Sequence, residues 1–259
     1  MQKYIAAPTA ALAGGAAGFG LRFWSLRTGF EAGTGLPIPG APANLSLIVM
    51  TFAVVLLIGG VLWRMCRPAP VLTYDQAFRC ESSLAMTADV VSAMLLAGSG
   101  LLFLWNYMKG QAPNIFHCVL AALLVAAGGC VLLTGRNNYR GQGGGSFNGL
   151  LLLPAYTFCL WLILTYQVRA GDPVILDYVY QLLAIICGLL GLYFTAGFSF
   201  EKGKAVPALW TGLLAVYFSC VSLADLSGWA DMALYAFCIV YFTAHSVVLL
   251  HNLTAEREE

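Results

Sequence analysis

Few ionisable side chains fall inside the long apolar runs of this sequence, and two of them have the chemistry of a proton carrier. Asp89 shares a helical stripe with Ser92, Leu96 and Ser99, and His245 shares one with Leu234, Cys238 and Tyr241. A carboxylate in hydrocarbon costs roughly 2.5–3.5 kcal/mol on insertion scales, so it must be protonated, paired or wet. At about 1.5 Å of rise per residue, both lie ~8 Å from the same side of the membrane. Histidine titrates near neutral pH and a carboxyl can be shifted toward it. Asp89 and His245 are therefore the candidate proton-coupling pair. The structural alternative is an aspartate bonded to nearby hydroxyls and a neutral histidine satisfied elsewhere.

A second constellation lies on the sixth apolar run, where Asp177, Gln181, Gly188 and Thr195 form one stripe with Tyr180 and Gly191 at its edges. A polar or small stripe along a helix faces protein or water rather than lipid. Asp177, Gln181, Tyr180 and Thr195 are the candidate substrate-binding residues, with a hydrogen-bonded seam between helices as the alternative. Asn106, His117, Arg169, Asp172, Asp177, Asp225 and Asp231 gather near the opposite side from Asp89. They suit a cation-attracting vestibule or ordinary capping and solvation of helix ends.

Gly98-Ser99-Gly100 and Ala244-His245 resemble the serine and histidine motifs of rhomboid intramembrane proteases. The resemblance covers these residues only. It implies an intramembrane enzyme with Ser99 as nucleophile and His245 as base, although their expected depths differ by ~9 Å. No pattern points to a cofactor or a metal. The eight cysteines include no C-x-x-C pair, and the Gly135–Gly145 segment lacks the lysine of a phosphate-binding loop. That segment is expected to be a flexible cytoplasmic connector or a contact for lipid headgroups or a protein partner.

The elements that must position these residues are apolar rods. The sequence is 60% hydrophobic and 10% charged, and its mean hydropathy is +0.80; a soluble domain carries about a quarter charged residues. Eight runs are long enough to cross the ~30 Å hydrocarbon core. They are Tyr4–Trp24, Leu45–Met65, Leu84–Met108, Asn114–Thr134, Asn148–Val168, Val174–Phe198, Val206–Asp225 and Ala230–Leu250. The Ala/Gly-rich first run looks like a signal peptide at its start but continues to Trp24, and is taken as a retained helix. Its ridge of Ala10, Gly14 and Gly18, with Ala7, Ala11 and Gly15 alongside, suits close packing against neighbours. Asn44 and Asn114 are expected helix N-caps, and Pro207 fits a first turn.

The expected fold class is all-α, a polytopic transmembrane helical bundle with one membrane domain over 1–259 and no soluble domain. A weak echo, Pro8 to Arg22 and Pro154 to Arg169, raises a tandem repeat of four helices over 1–140 and 148–259. Lys3, Arg64, Arg67, Arg79, Arg136, Arg140, Lys202, Lys204 and Arg257 fall on one side, against Arg22, Arg27, Lys109 and Arg169 on the other. The positive-inside rule then places both termini in the cytoplasm, in a membrane of the bacterial cytoplasmic type. The net charge of +1 and singly scattered basic residues exclude nucleic acid as a partner. Expected partners are membrane lipids, a small-molecule solute and another membrane protein. The function expected first is a small permease or solute-binding membrane protein, proton-coupled through Asp89. The alternatives are a non-catalytic membrane subunit, receptor or assembly factor, and the Ser99–His245 enzyme.

Overall fold

The computed structural model describes residues 3–31, 33–66, 72–110, 114–141, 148–200 and 203–255. Those residues form α1 (Ala6–Thr28), α2 (Pro42–Met65), α3 (Tyr74–Phe78), α4 (Ser83–Met108), α5 (Ile115–Arg140), α6 (Asn148–Arg169), α7 (Ile175–Gly197), α8 (Ala205–Ser222) and α9 (Trp229–Ala255), with no strand among them. Seven of these helices, α2 and α4 to α9, are long and apolar enough to cross a membrane. The protein is an all-α, multi-pass integral membrane protein. Its surface fits lipid: Phe52, Leu56 and Met94 on α2 and α4 are 66–74% exposed, a cost in water that acyl tails remove.

The first expected run falls short of the apolarity of the other seven, because alanine and glycine dominate it. Packing nevertheless carries α1 from one end of the bundle to the other. At its start the Tyr4 ring meets the His251 ring edge-on at 5.1 Å. Near its end Arg22 reaches Asp225, just beyond α8. Ala7, Ala11, Gly14, Gly15, Gly18, Arg22 and Ser25 are its buried face. A methyl added at Gly15 would stand 2.8 Å from Cys220 Cβ, and one at Gly18 2.7 Å from Val221 Cγ2. The small-residue ridge is thus a close seam with α8.

α4, α5, α6, α7, α8 and α9 pack in that order around a ring, which α9 closes against α4. α1 lies outside on α8, and α2 packs on α1 and α8. Enclosed by four helices, α8 buries residues all round.

Local chemistry explains the boundaries. Asn114 is an N-cap, its side chain accepting from the Phe116 amide, and Pro207 lies in the first turn of α8. Asn44 is not a cap: α2 starts at Pro42, and the Asn44 side chain instead donates to the Gly29 carbonyl and accepts from Ser25 Oγ, pinning the end of α1. α5 runs beyond Thr134 to Arg140, where Gly141 ends it at a φ of 61°. The first half of the polar Gly135–Gly145 segment is therefore helix; 142–147 lie outside the described residues, as do Arg67, Lys202 and Arg257. Between α2 and α4 the short α3 forms on a capping box of Thr73 and Gln76.

Candidate functional site

At the end of the ring that carries α3, Asp89 on α4 faces His245 on α9. His245 Nδ1 lies 3.7 Å from Asp89 Oδ1, and their side chains are only 12% and 9% exposed. The imidazole stacks on Tyr241 at 3.9 Å and has Phe78 of α3 at 5.5 Å. Its Nδ1 also lies 3.2 Å from the Tyr241 carbonyl. Space for the carboxyl comes from α5, where a methyl on Gly135 would stand 2.6 Å from Asp89 Oδ2. Ser92, on the same stripe, is fully buried and its hydroxyl has no hydrogen-bond partner among the described residues, so it is not what satisfies Asp89.

A void of about 20 Å³ touches Asp89, His245, Gly135, Asn138 and Tyr139. That is room for about one water. It shares Cys80, Ala85, Ala244 and Val248 with an open pocket of about 770 Å³ at the same end of the bundle. The buried pair therefore sits one thin layer from a surface opening. Below it the Tyr74 hydroxyl accepts from Asn138 Nδ2 at 3.3 Å. Burial pushes the Tyr74 phenol above its ordinary pKa, so it stays protonated at any working pH.

The opposite end is organised by Arg22, which is 0% exposed. Its Nε donates to Asp225 Oδ1 at 2.7 Å, and its other nitrogens donate to the carbonyls of Leu176 and Asp177 at 3.1 and 2.5 Å. The Asp177 carboxylate lies 3.9 Å from Arg22 and 3.6 Å from Arg169. Beside this network the mouth of the ring opens into a cavity of about 250 Å³. Side chains of α4, α5, α6, α7 and the start of α9 line it, including His117, Trp161, Arg169, Gln181 and Asp231. Trp161 Nε1 donates to Asp231 Oδ1 at 3.0 Å.

Aromatic side chains fill the ring between the two ends. Trp161 packs on Phe158 at 5.3 Å, Phe158 on Phe237 at 5.8 Å, and Phe237 on Tyr241 at 5.1 Å. Tyr241 then meets His245, so ring contacts run without a break from the partner of Asp231 to the partner of Asp89.

The stripe on α7 does not form one cavity wall. Gln181 lines the mouth cavity. Asp177 is committed to arginines, and Tyr180 lies in a hydroxyl cluster, with Thr51 at 3.4 Å and Tyr217 bonded to Thr51 at 2.9 Å. Thr195 donates to the Gly191 carbonyl within its own helix. The cause is that α7 is clasped on two sides, by α6 and by α8, so its polar face is divided between neighbours.

Ser99 and His245 are also not brought together. Ser99 is fully buried and donates to the Ala230 carbonyl at 2.8 Å, at the start of α9. His245 is fifteen residues further along that helix, ~22 Å away by helical rise. Arg22, Trp161, Asp231 and Gly135 are the site residues the sequence did not single out for these roles. Arg22 and Asp231 stand near helix ends, where charge is ordinary.

Among the described residues no three His, Cys, Asp or Glu side chains are placed to hold a metal ion. Comparison with protein-family models, with curated proteins and with solved structures finds no match to this chain.

Proposed function

We propose that this membrane protein is a permease for a small solute, coupled to protons through Asp89 and His245. The observation that carries the reading is the 3.7 Å approach of these two groups inside the bundle. A carboxyl and an imidazole in such contact can share, hold or release a proton, and ionisable groups at membrane depth mark proton relays. The mouth cavity supports a solute site at the other end, and the aromatic filling supports a closed middle. A carrier needs both, because its solute site must not open to the two sides of the membrane at once.

The test is proteoliposomes enclosing a pH-sensitive dye, challenged with the low-molecular-mass fraction of a cell extract. Wild-type protein should shift the lumenal pH when the matching fraction is added, and Asp89→Asn and His245→Ala should abolish the shift. Responses equal to wild type in both variants would refute proton coupling by this pair. A silent wild type across all fractions would remove the permease itself.

A further inference from the structure

The charges around the mouth cavity do not balance. Arg22 is matched by Asp225 at 2.7 Å, and Arg169 faces Asp177 at 3.6 Å. Among the described residues Asp231 has no cation within 4 Å, Arg169 and His117 acting on it only from further off; its one hydrogen bond is the Trp161 indole on Oδ1, and Oδ2 accepts none. His117, also on the cavity wall, directs Nδ1 at the carbonyl of Asn114 in its own helix, 3.3 Å away. Ser227 lines the same cavity, and its buried hydroxyl has no partner among the described residues. The rest of the wall sets Thr165, Gln181 and the Asp177-facing Arg169 among apolar and aromatic side chains, with Phe103 and Trp161 the largest rings.

Resting on the permease reading above, we propose that the cavity is the solute site and that its solute is a small organic monocation, a protonated or quaternary amine. Its charge sits against Asp231 Oδ2, its hydrogen-bonding substituent meets Ser227, and its carbon-bound hydrogens lie on the aromatic faces. Aromatic walls and one carboxylate are the chemistry that selects alkylammonium ions. A volume of about 250 Å³ is too roomy for a bare metal ion and lies below the range of drug-sized ligands, roughly 300–1,000 Å³. An anion would meet Asp231 unfavourably, and a zwitterion would leave the same excess negative charge in place.

Binding is measured on the purified full chain in detergent micelles by equilibrium dialysis with radiolabelled choline and ethanolamine. The uncharged choline isostere 3,3-dimethyl-1-butanol and glycine betaine serve as competitors. Saturable binding of either amine, displaced by the other but not by the isostere or betaine, is expected. Asp231→Asn should weaken it at least about tenfold, as loss of a buried charge partner does, while Asp231→Glu retains it. Should Asp231→Asn fail to fold, Gly228→Leu replaces it. A Cβ there meets only Asp231 Oδ2, at 3.9 Å, so the chain tolerates the change while the new side chain fills the cavity and blocks binding. Equilibrium binding needs no proton movement, so intact binding with silent proteoliposomes would refute the permease and leave the site standing. Absence of binding, displacement by the isostere, or full binding in Gly228→Leu would each overturn the proposal.

Discussion

At Gly135 an added methyl would stand 2.6 Å from Asp89 Oδ2 and 2.7 Å from its Cβ, closer than real contacts allow, so α4 and α5 must move apart and carry the carboxyl with them. Gly135→Ala should therefore lose solute-driven proton movement as completely as Asp89→Asn. Its destabilisation should stay near the 1–3 kcal/mol of an overpacked site, and dye-loaded proteoliposomes beside a thermal melt would show both. At the other end, Arg22→Met strands the Asp225 carboxylate. Removing one partner of a buried pair costs about 3–5 kcal/mol, and Arg22→Met with Asp225→Leu should recover much of that loss in a denaturation series. The equal depth of Asp89 and His245 was legible in the sequence, but their approach was not, because it needs α4 and α9 to be neighbours in the ring. Arg22 was not legible, since an arginine at the end of an apolar run looks the same whether it meets lipid headgroups or a partner 203 residues away. Asp231 was legible only as one of seven residues suited to a cation-attracting vestibule or to ordinary capping; its hydrogen bond from Trp161, 70 residues away, was not.

Among the elements, α1 depends most on shape, because its thin face admits α8 to within contact of its backbone. Gly18→Val should destabilise the protein by about 1–3 kcal/mol through collision with Val221 and Tyr217. Gly20→Val, with open space at its Cβ, should be close to neutral in the same thermal melt. Each expected apolar run became a helix, since twenty residues without charge have no other way to satisfy their backbone in lipid. The short α3 was missed although Thr73 and Gln76 spell its capping box, because five residues carry no hydrophobic period. The polar stripe of α7 was visible, but which neighbour each residue met was not. Orientation around a bundle depends on side-chain fit between helices, which periodicity within one helix does not record.

For the whole molecule, contact of Tyr4 with His251 puts the start of α1 and the last turns of α9 at the same end of the bundle, beside the opening near Asp89. Arg64, Arg79, Arg136, Arg140 and Lys204 belong to that end, whereas Arg22 of the other group is consumed inside an ion network. Reporter fusions at either terminus should therefore both show cytoplasmic behaviour, fluorescent for green fluorescent protein and inactive for alkaline phosphatase. Opposite results at the two termini would mean that α1 does not traverse the bilayer. The seam between α1 and α8 also sets a schedule for biogenesis. Of the long helices described, α1 is made before the others and is the least apolar, and the residues that clasp it follow some 200 positions later. At about 5–20 residues per second this is a wait of ~10–40 s. During that interval a lone guanidinium must be sheltered by the insertion machinery or held at the headgroups, and α1 takes its final seat only after α8 has been synthesised.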